Sequence, residues 1–403
     1  MIYKISISNF KSVRNLDLEL SRFNVLIGEN GSGKSNILES ITFLGAFLND
    51  KLDNEFLFSR GIRTTEGIFF KSHFQKIDLK KPLMFSLWIN GVQQLDKYKI
   101  FFEKNKWISE FEKKKLHALT FKKYLEKRGA NFSETLKKMF QYFDDLKRNL
   151  DKIKNEKEKK IKRDSLIKLL KKAKSSIEAQ VEKKALSLDK FLIYSPENSS
   201  LRNFSEEGQI LPIGVKGEGL FKELKRLNEK KNKKQIATII KSLKLLDWFD
   251  SLEIPSTSFS GENILKIQDR FLDTTVKYLD QKNVNEGFLF ILFYLTIIVS
   301  ENTPTFFAID NIDSSLNPKL CSELIRVLDN LSKLHKKHLI ITTHNPFILD
   351  GLDLHEDEQR LFVVRRNLEG HTIATRVPPS KSSSVKLSEA WMTGYLGGLP
   401  NNF

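Results

Sequence analysis

A single cysteine, Cys321, stands among 403 residues, so no disulfide framework can staple the chain and a reducing compartment, the cytoplasm, is expected. Long apolar runs are missing too. The longest, FLFILFYLTIIV from Phe288 to Val299, has twelve residues, too few to span a bilayer, and predicts a buried helix instead. The opening MIYKISISNF alternates as a strand and builds no apolar core, so no signal peptide is expected. No internal repeat is visible. Acidic residues are outnumbered, 50 against 67 Lys and Arg, and the net charge of +17 is unevenly spread. Lys104 to Leu186 holds 26 basic and 12 acidic residues, and Lys216 to Lys244 holds 10 and 3, which leaves the remainder slightly acidic. Such patches concentrate polyanions, and DNA is the natural candidate. A solvated helical face fits as well, because lysine dominates these stretches and arginine is the better bidentate reader of phosphate.

Period-two alternation predicts strands at Tyr3 to Ile7 and Leu16 to Leu20, and FNVLI, Phe23 to Ile27, reads as a continuous apolar central strand. Ile37, Ile41, Leu44 and Leu48 recur at helical spacing just beyond. Alternation returns around Phe85 to Ile89 and Tyr98 to Phe102, with Asn90-Gly91 as a turn between them, and predicts a small antiparallel sheet. From about Phe111 to Leu186 the pattern is helical, read as an inserted hairpin or short bundle. FLIYS at Phe191 is a strand again, followed by helices from Leu220 to Phe249. ILKIQDRFL and TTVKYL read as two further strands, then come the apolar helix, the strand TFFAID, a helix from Lys319 to about Leu334, the strand HLIITTH, and a closing hairpin of LFVVRR and TIATRV.

GENGSGKS, Gly28 to Ser35, sits between a strand and a helix and fits the P-loop pattern. Its residues Gly28, Glu29, Asn30, Gly31, Ser32 and Gly33 supply a turning backbone whose N–H groups face phosphate, aided by the helix N-terminus. Lys34 would reach the β- and γ-phosphates and Ser35 would ligate magnesium. Asp310 ends a buried strand and would hold the magnesium water shell. In most such sites the next residue is a catalytic glutamate, but here it is Asn311. Either ATP is bound and hydrolysed poorly, or another group does the glutamate's work, or the strand is misread.

NFKSVRNL, NVLIGENGSGKSNILESI, NEGFLF, FAIDNIDSSLNP and LIITTHNP, in that order, resemble the ABC-type ATPase heads of the SMC and RecF group. Within that group the likeness is to stand-alone AAA-family ATPases of bacterial anti-phage systems, such as the overcoming-lysogenization-defect, Septu and PARIS ATPases. The resemblance implies an α/β fold: a P-loop NTPase head with a mixed or antiparallel β subdomain and an inserted helical hairpin or bundle. The head would be split into residues 1–105 and 189–378, around a basic insertion at 106–188 and before a tail at 379–403. It makes Val284 to Gly287 the signature, with Asn285, Glu286 and Gly287 binding the γ-phosphate of the opposite subunit, and His344 the switch histidine. Lys11 falls where such heads carry a basic residue near the nucleotide, and Gln75 is the candidate glutamine-loop residue near the metal.

Three positions depart from the group's pattern: Asn285 replaces the signature serine, Asn311 the catalytic glutamate, and Asn317 a histidine before Pro318. Asp313, two residues on, is an alternative base. Beyond His344 no acidic cluster of the kind a TOPRIM nuclease needs is present, so cutting would fall to another protein. The expected protein is therefore an ATP- and Mg2+-dependent hydrolase that forms a head-to-tail homodimer or higher oligomer and gates a separately encoded effector, a nuclease or toxin, in antiviral defence. The rival is a DNA-binding clamp of RecF or SMC type in repair or chromosome maintenance. The tail SEAWMTGYLGGLPNNF suits either a docked end of the core or a partner-binding segment.

Overall fold

FNVLI carries no polar face, and all five of its residues are buried, as a strand covered on both sides requires. In the computed structural model of the chain, residues 2–49, 51–63, 66–74, 81–89, 96–103, 106–113, 188, 190–203, 212–255, 264–273, 275–379 and 385–399 are described. The elements in chain order are β1 (Ile2–Phe10), β2 (Val13–Glu19), β3 (Phe23–Ile27), α1 (Lys34–Leu48), α2 (Asn54–Ser59), β4 (Leu83–Ile89), β5 (Asp96–Glu103), β6 (Lys106–Lys113), β7 (Ile193–Tyr194) and α3 (Asn198–Arg202). They continue with α4 (Leu220–Leu227), α5 (Lys233–Leu243), β8 (Phe249–Glu253), β9 (Lys266–Asp269), α6 (Glu286–Val299), β10 (Phe306–Ile309), α7 (Pro318–Leu334), β11 (His338–Thr343), β12 (Gln359–Arg366), β13 (Thr372–Val377) and α8 (Leu387–Met392).

The central sheet runs β13-β12-β3-β11-β10-β7, parallel except for β13. Alternate residues enter two cores. Val25, Ile27, Phe307, Ile309, Leu339 and Ile341 meet α6 and α7 on one face, while Leu26, Ala308 and Ile340 meet α1 and β1 on the other. The apolar run of the sequence is α6, buried on every side from Phe288 to Val299, and among the described residues no helix is long and apolar enough to cross a membrane. The second sheet, β2-β1-β4-β5-β6, is antiparallel throughout. At the far end of β3, Arg22 bonds Asp329 and Glu358, each at 2.9 Å, tying α7 and the start of β12 to the strand.

The closing hairpin of LFVVRR and TIATRV forms as β12 and β13, antiparallel to each other, and β12 also pairs in parallel with β3 inside the central sheet. Three expectations need correction. The described part of TTVKYL, residues 275–279, is not a strand: only Leu279 makes a bridge, to Ile267, and Val276 and Tyr278 are exposed. The partner of β9 is β8, FDSLE, which begins at Phe249, where the helices were expected to end, and was not read as a strand; a register shift between Phe249 and Ser251 hides its alternation. β6 carries the antiparallel sheet to Lys113, past the expected boundary at 105 and the expected helix start at Phe111; its charges, Lys106, Glu110, Glu112 and Lys113, match those of the insertion that follows. The rest of the basic insertion and Gln75 lie outside the described residues.

The tail docks on the core. Ser388 gives both its backbone N–H and its hydroxyl to Asp350, at 3.0 and 2.8 Å, and Trp391 is buried against the larger core. Phe293 of α6 stands edge-on to Tyr194 of β7, ring centres 5.6 Å apart, with no exposed surface. Phe293→Ala should cost about 3–5 kcal/mol through lost burial and the cavity left behind, read as a lowered urea midpoint.

Candidate nucleotide site

The parallel register sets the site. Ile27 pairs with Thr343 and Ile309 with Ile341, so the residues that follow, Gly28, His344 and Asp310, leave the sheet at one edge. Gly28 has to be glycine, because a Cβ would lie 2.0 Å from the Val364 carbonyl oxygen. Gly33 caps α1 with φ 103, a conformation that disfavours side chains.

Lys34 is buried, and its Nζ donates to the carbonyls of Gly28 and Glu29 at 2.9 and 3.0 Å, 3.4 Å from His344 Nδ1. Burial lowers its pKa to about 8, against the opposing pull of Asp310, Asp313 and Glu29. An ammonium held by carbonyls in this way has unmet demand for negative charge, which phosphate oxygens satisfy. Ser35 Oγ donates to Asp310 Oδ2 at 3.0 Å, placing the two expected metal ligands side by side. Among the described residues no group of three or more His, Cys, Asp or Glu is arranged to hold a metal, so a divalent ion here would take most of its ligands from phosphate and water.

Two adjacent threonines order the acidic side. Thr342 Oγ1 donates to Asp310 Oδ1 and accepts from the Asn311 N–H at 2.9 Å, and Thr343 Oγ1 donates to Asp313 Oδ1 at 2.6 Å. Asn311 itself is exposed and sits at φ 54, a left-handed conformation that asparagine tolerates better than most residues. His344 is held below the usual imidazole range by burial first and by Lys34 second, which favours the neutral ring. Beneath this loop lies Cys321, fully buried, receiving the Asn345 amide at 3.5 Å; burial and then Asp313 push its thiol up to about 12.

Lys11 is near the site but committed elsewhere: its Nζ lies 2.5 Å from Glu39 Oε2 and over the Phe70 ring. The more exposed cation at this edge is Arg63, bonded to Glu39 at 2.8 Å and to Asn36, the residue after Ser35, at 3.0 Å. Neither Arg63 nor the threonine pair stood out in the sequence, although TTH before the switch position carried the threonine signal. Asn285 caps α6 by accepting from the Phe288 N–H at 2.8 Å, which leaves its NH2 group for another acceptor. Glu286 follows in the first turn, and a Cβ on Gly287 would lie 3.0 Å from the Ser315 carbonyl oxygen. Among the described residues no hydrogen bond joins 284–287 to the P-loop of the same chain. Asn317 caps α7 by accepting from the Leu320 N–H, a structural duty that accounts for asparagine before Pro318.

A P-loop opening a helix, a histidine after the neighbouring strand and an aspartate after the strand beyond it, beside the P-loop serine, are the layout of an ABC-type P-loop NTPase head. The Smc head domain of Pyrococcus furiosus, solved with an extended coiled coil and bound to the C-terminal domain of ScpA, has the same fold over 94% of this chain and 96% of its own, at 14% identity and a TM-score of 0.50. A second SmcHead structure, bound to the C-winged helix domain of ScpA, gives 0.53 at 14% identity over 94% of this chain and 98% of that one. The DNA replication and repair protein RecF of Actinobacillus pleuropneumoniae serotype 5b (strain L20) is 51% identical over 43 residues, and that of Haemophilus ducreyi 49% over 43. These stretches cover 10% of this chain and 12% of each relative's length. The chain belongs to the family described as "AAA domain, putative AbiEii toxin, Type IV TA system", which matches residues 23–350.

Lys34→Ala should abolish ATP and ADP binding in calorimetry; normal affinity would refute the phosphate cradle. In the wild type, affinity should also weaken as pH rises past about 8, because the amine that phosphate needs is then neutral in the free protein.

Proposed function

We propose that the chain binds ATP with magnesium in the cytoplasm, hydrolyses it slowly, and dimerises head to tail around two nucleotides to gate a separately encoded effector in anti-phage defence. The observation that carries this reading is the convergence of Lys34, Ser35, Asp310 and His344 at one sheet edge; among the described residues no hydrogen bond joins Asn285–Gly287 to that P-loop, which suits a role toward a second subunit. Lys34 and the loop N–H groups hold the phosphates, Ser35 and Asp310 hold the metal, and Asn285 offers its amide to the partner's γ-phosphate. Magnesium supplies charge neutralisation for the transferred phosphoryl group. The family's description in terms of a toxin–antitoxin system supports a defence role.

Asn311 sets the rate. An amide orients water but takes no proton, and a positioned general base is worth about 10²- to 10⁴-fold. Asn311→Glu should raise single-turnover hydrolysis at least several-fold and shorten the ATP-bound dimer's lifetime, less whatever the left-handed backbone costs a glutamate. Asp313→Ala should change the rate little, since that carboxylate is anchored to Thr343 through one of its oxygens. A fast wild type crippled by Asp313→Ala would assign the base there instead. Gly287→Arg should bind ATP yet stay monomeric in light scattering; ATP-dependent dimers in this variant would refute the composite site. A nuclease or toxin gene beside this one would support gating, and repair genes would oppose it.

The RecF stretches favour a second reading, a DNA clamp using the basic insertion. Excising 116–186, which leaves β6 whole, separates the two. Loss of DNA affinity together with its salt dependence would support the clamp, and unchanged binding would exclude the insertion as the DNA surface.

A further inference from the structure

The outer side of the P-loop is gripped by residues far away in the chain. Thr372, at the start of β13, donates its hydroxyl to the Ser32 carbonyl at 2.9 Å. The same oxygen lies 2.6 Å from Ser12 Oγ, and Asn36 Nδ2 donates to Ser12 Oγ at 2.7 Å. Each hydroxyl has one proton. Because Thr372 directs its proton to Ser32, Ser12 must donate to Thr372 and accept from Asn36. Arg63 donates to Asn36 Oδ1 at 3.0 Å, so a one-way chain runs from Arg63 through Asn36, Ser12 and Thr372 to the Ser32 carbonyl. Ser12, Ser32 and Thr372 are each 1% exposed, so solvent has little access to replace a missing link. Thr372 is itself fixed, because its N–H donates to the Ser12 carbonyl at 2.8 Å.

The peptide between Ser32 and Gly33 is planar and trans, so its C=O and N–H point in opposite directions. With the carbonyl turned out onto Thr372, the Gly33 N–H faces the concave side, where a P-loop offers its donors to phosphate. A Cβ on Gly33 would lie 2.0 Å from Thr372 Oγ1, so the hydroxyl is in contact with this peptide as well as bonded to it. We propose that Thr372, relayed by Ser12, is a positioning residue for nucleotide binding, one that fixes the Ser32–Gly33 peptide and thereby aims the Gly33 N–H at phosphate. Ser12 and Thr372 both lie outside the 23–350 stretch that matches the family. The role rests on the nucleotide reading of the site.

The test is ADP affinity by calorimetry on the full chain, with melting midpoints measured without nucleotide. Thr372→Val keeps the shape and removes the proton, freeing the carbonyl to turn away, so ADP should bind about ten-fold more weakly. Thr372→Ser restores the donor and should stay within about two-fold of wild type. Ser12→Ala strips only the incoming bond and should weaken binding about three-fold, which keeps the relay testable if Thr372→Val does not fold. Wild-type affinity in Thr372→Val, whatever its melting midpoint, overturns the positioning role, as does a serine variant as weak as the valine. A wild type that binds no ADP overturns the nucleotide reading itself, and the positioning role with it.

Discussion

The pairing of β3, β11 and β10 in parallel and in one register is the constraint on which the rest depends. Side chains on a strand alternate between faces, so a slip of one residue in β10 or β11 would carry Asp310 or His344, each just past its strand, out of line with the P-loop. Nothing local to the loops would restore them. What forbids the slip is that both faces are buried: Val25 and Ile27 fit the core formed with α6, Leu26 fits the core under α1, and exchanging them would mismatch two packed interiors at once. Packing of residues that never meet phosphate thus fixes the distances at the site.

Much of this was legible in the sequence, for reasons that differ by element. The P-loop is a local object, whose glycines, lysine and serine are required within eight residues, so spacing alone revealed it. The apolar helix was legible because its run is too short for a membrane and too continuous for a half-buried strand. β8 was missed because a register shift breaks its period, and β6 because its charges belong to the composition of the insertion. Lys11 was read by position as a nucleotide contact, yet the choice between phosphate and Glu39 depends on α1, a different element. Arg63 and Thr372 carry no local pattern at all. Their meaning lies in partners brought together only by folding, Thr372 being 340 residues from the carbonyl it holds.

Asparagine recurs where this head departs from its group, and the reasons are separate. Asn317 and Asn285 terminate helices with their side-chain oxygens, a task at which asparagine is among the best residues. Asn311 occupies a left-handed backbone site that asparagine enters at low cost. The substitution with a chemical consequence is therefore also the one that the backbone accommodates most easily.

Cys321 gives the molecule a built-in clock. It is the one thiol in the chain, sealed beneath the two loops that carry Asp313 and Asn345, and its raised pKa leaves almost no thiolate at neutral pH. A disulfide reagent can reach it only when that region opens, so labelling follows openings of the floor of the site and not of the distant surface. The waiting time before the sulfur reacts would measure how often the region that organises phosphate comes apart, without an added probe.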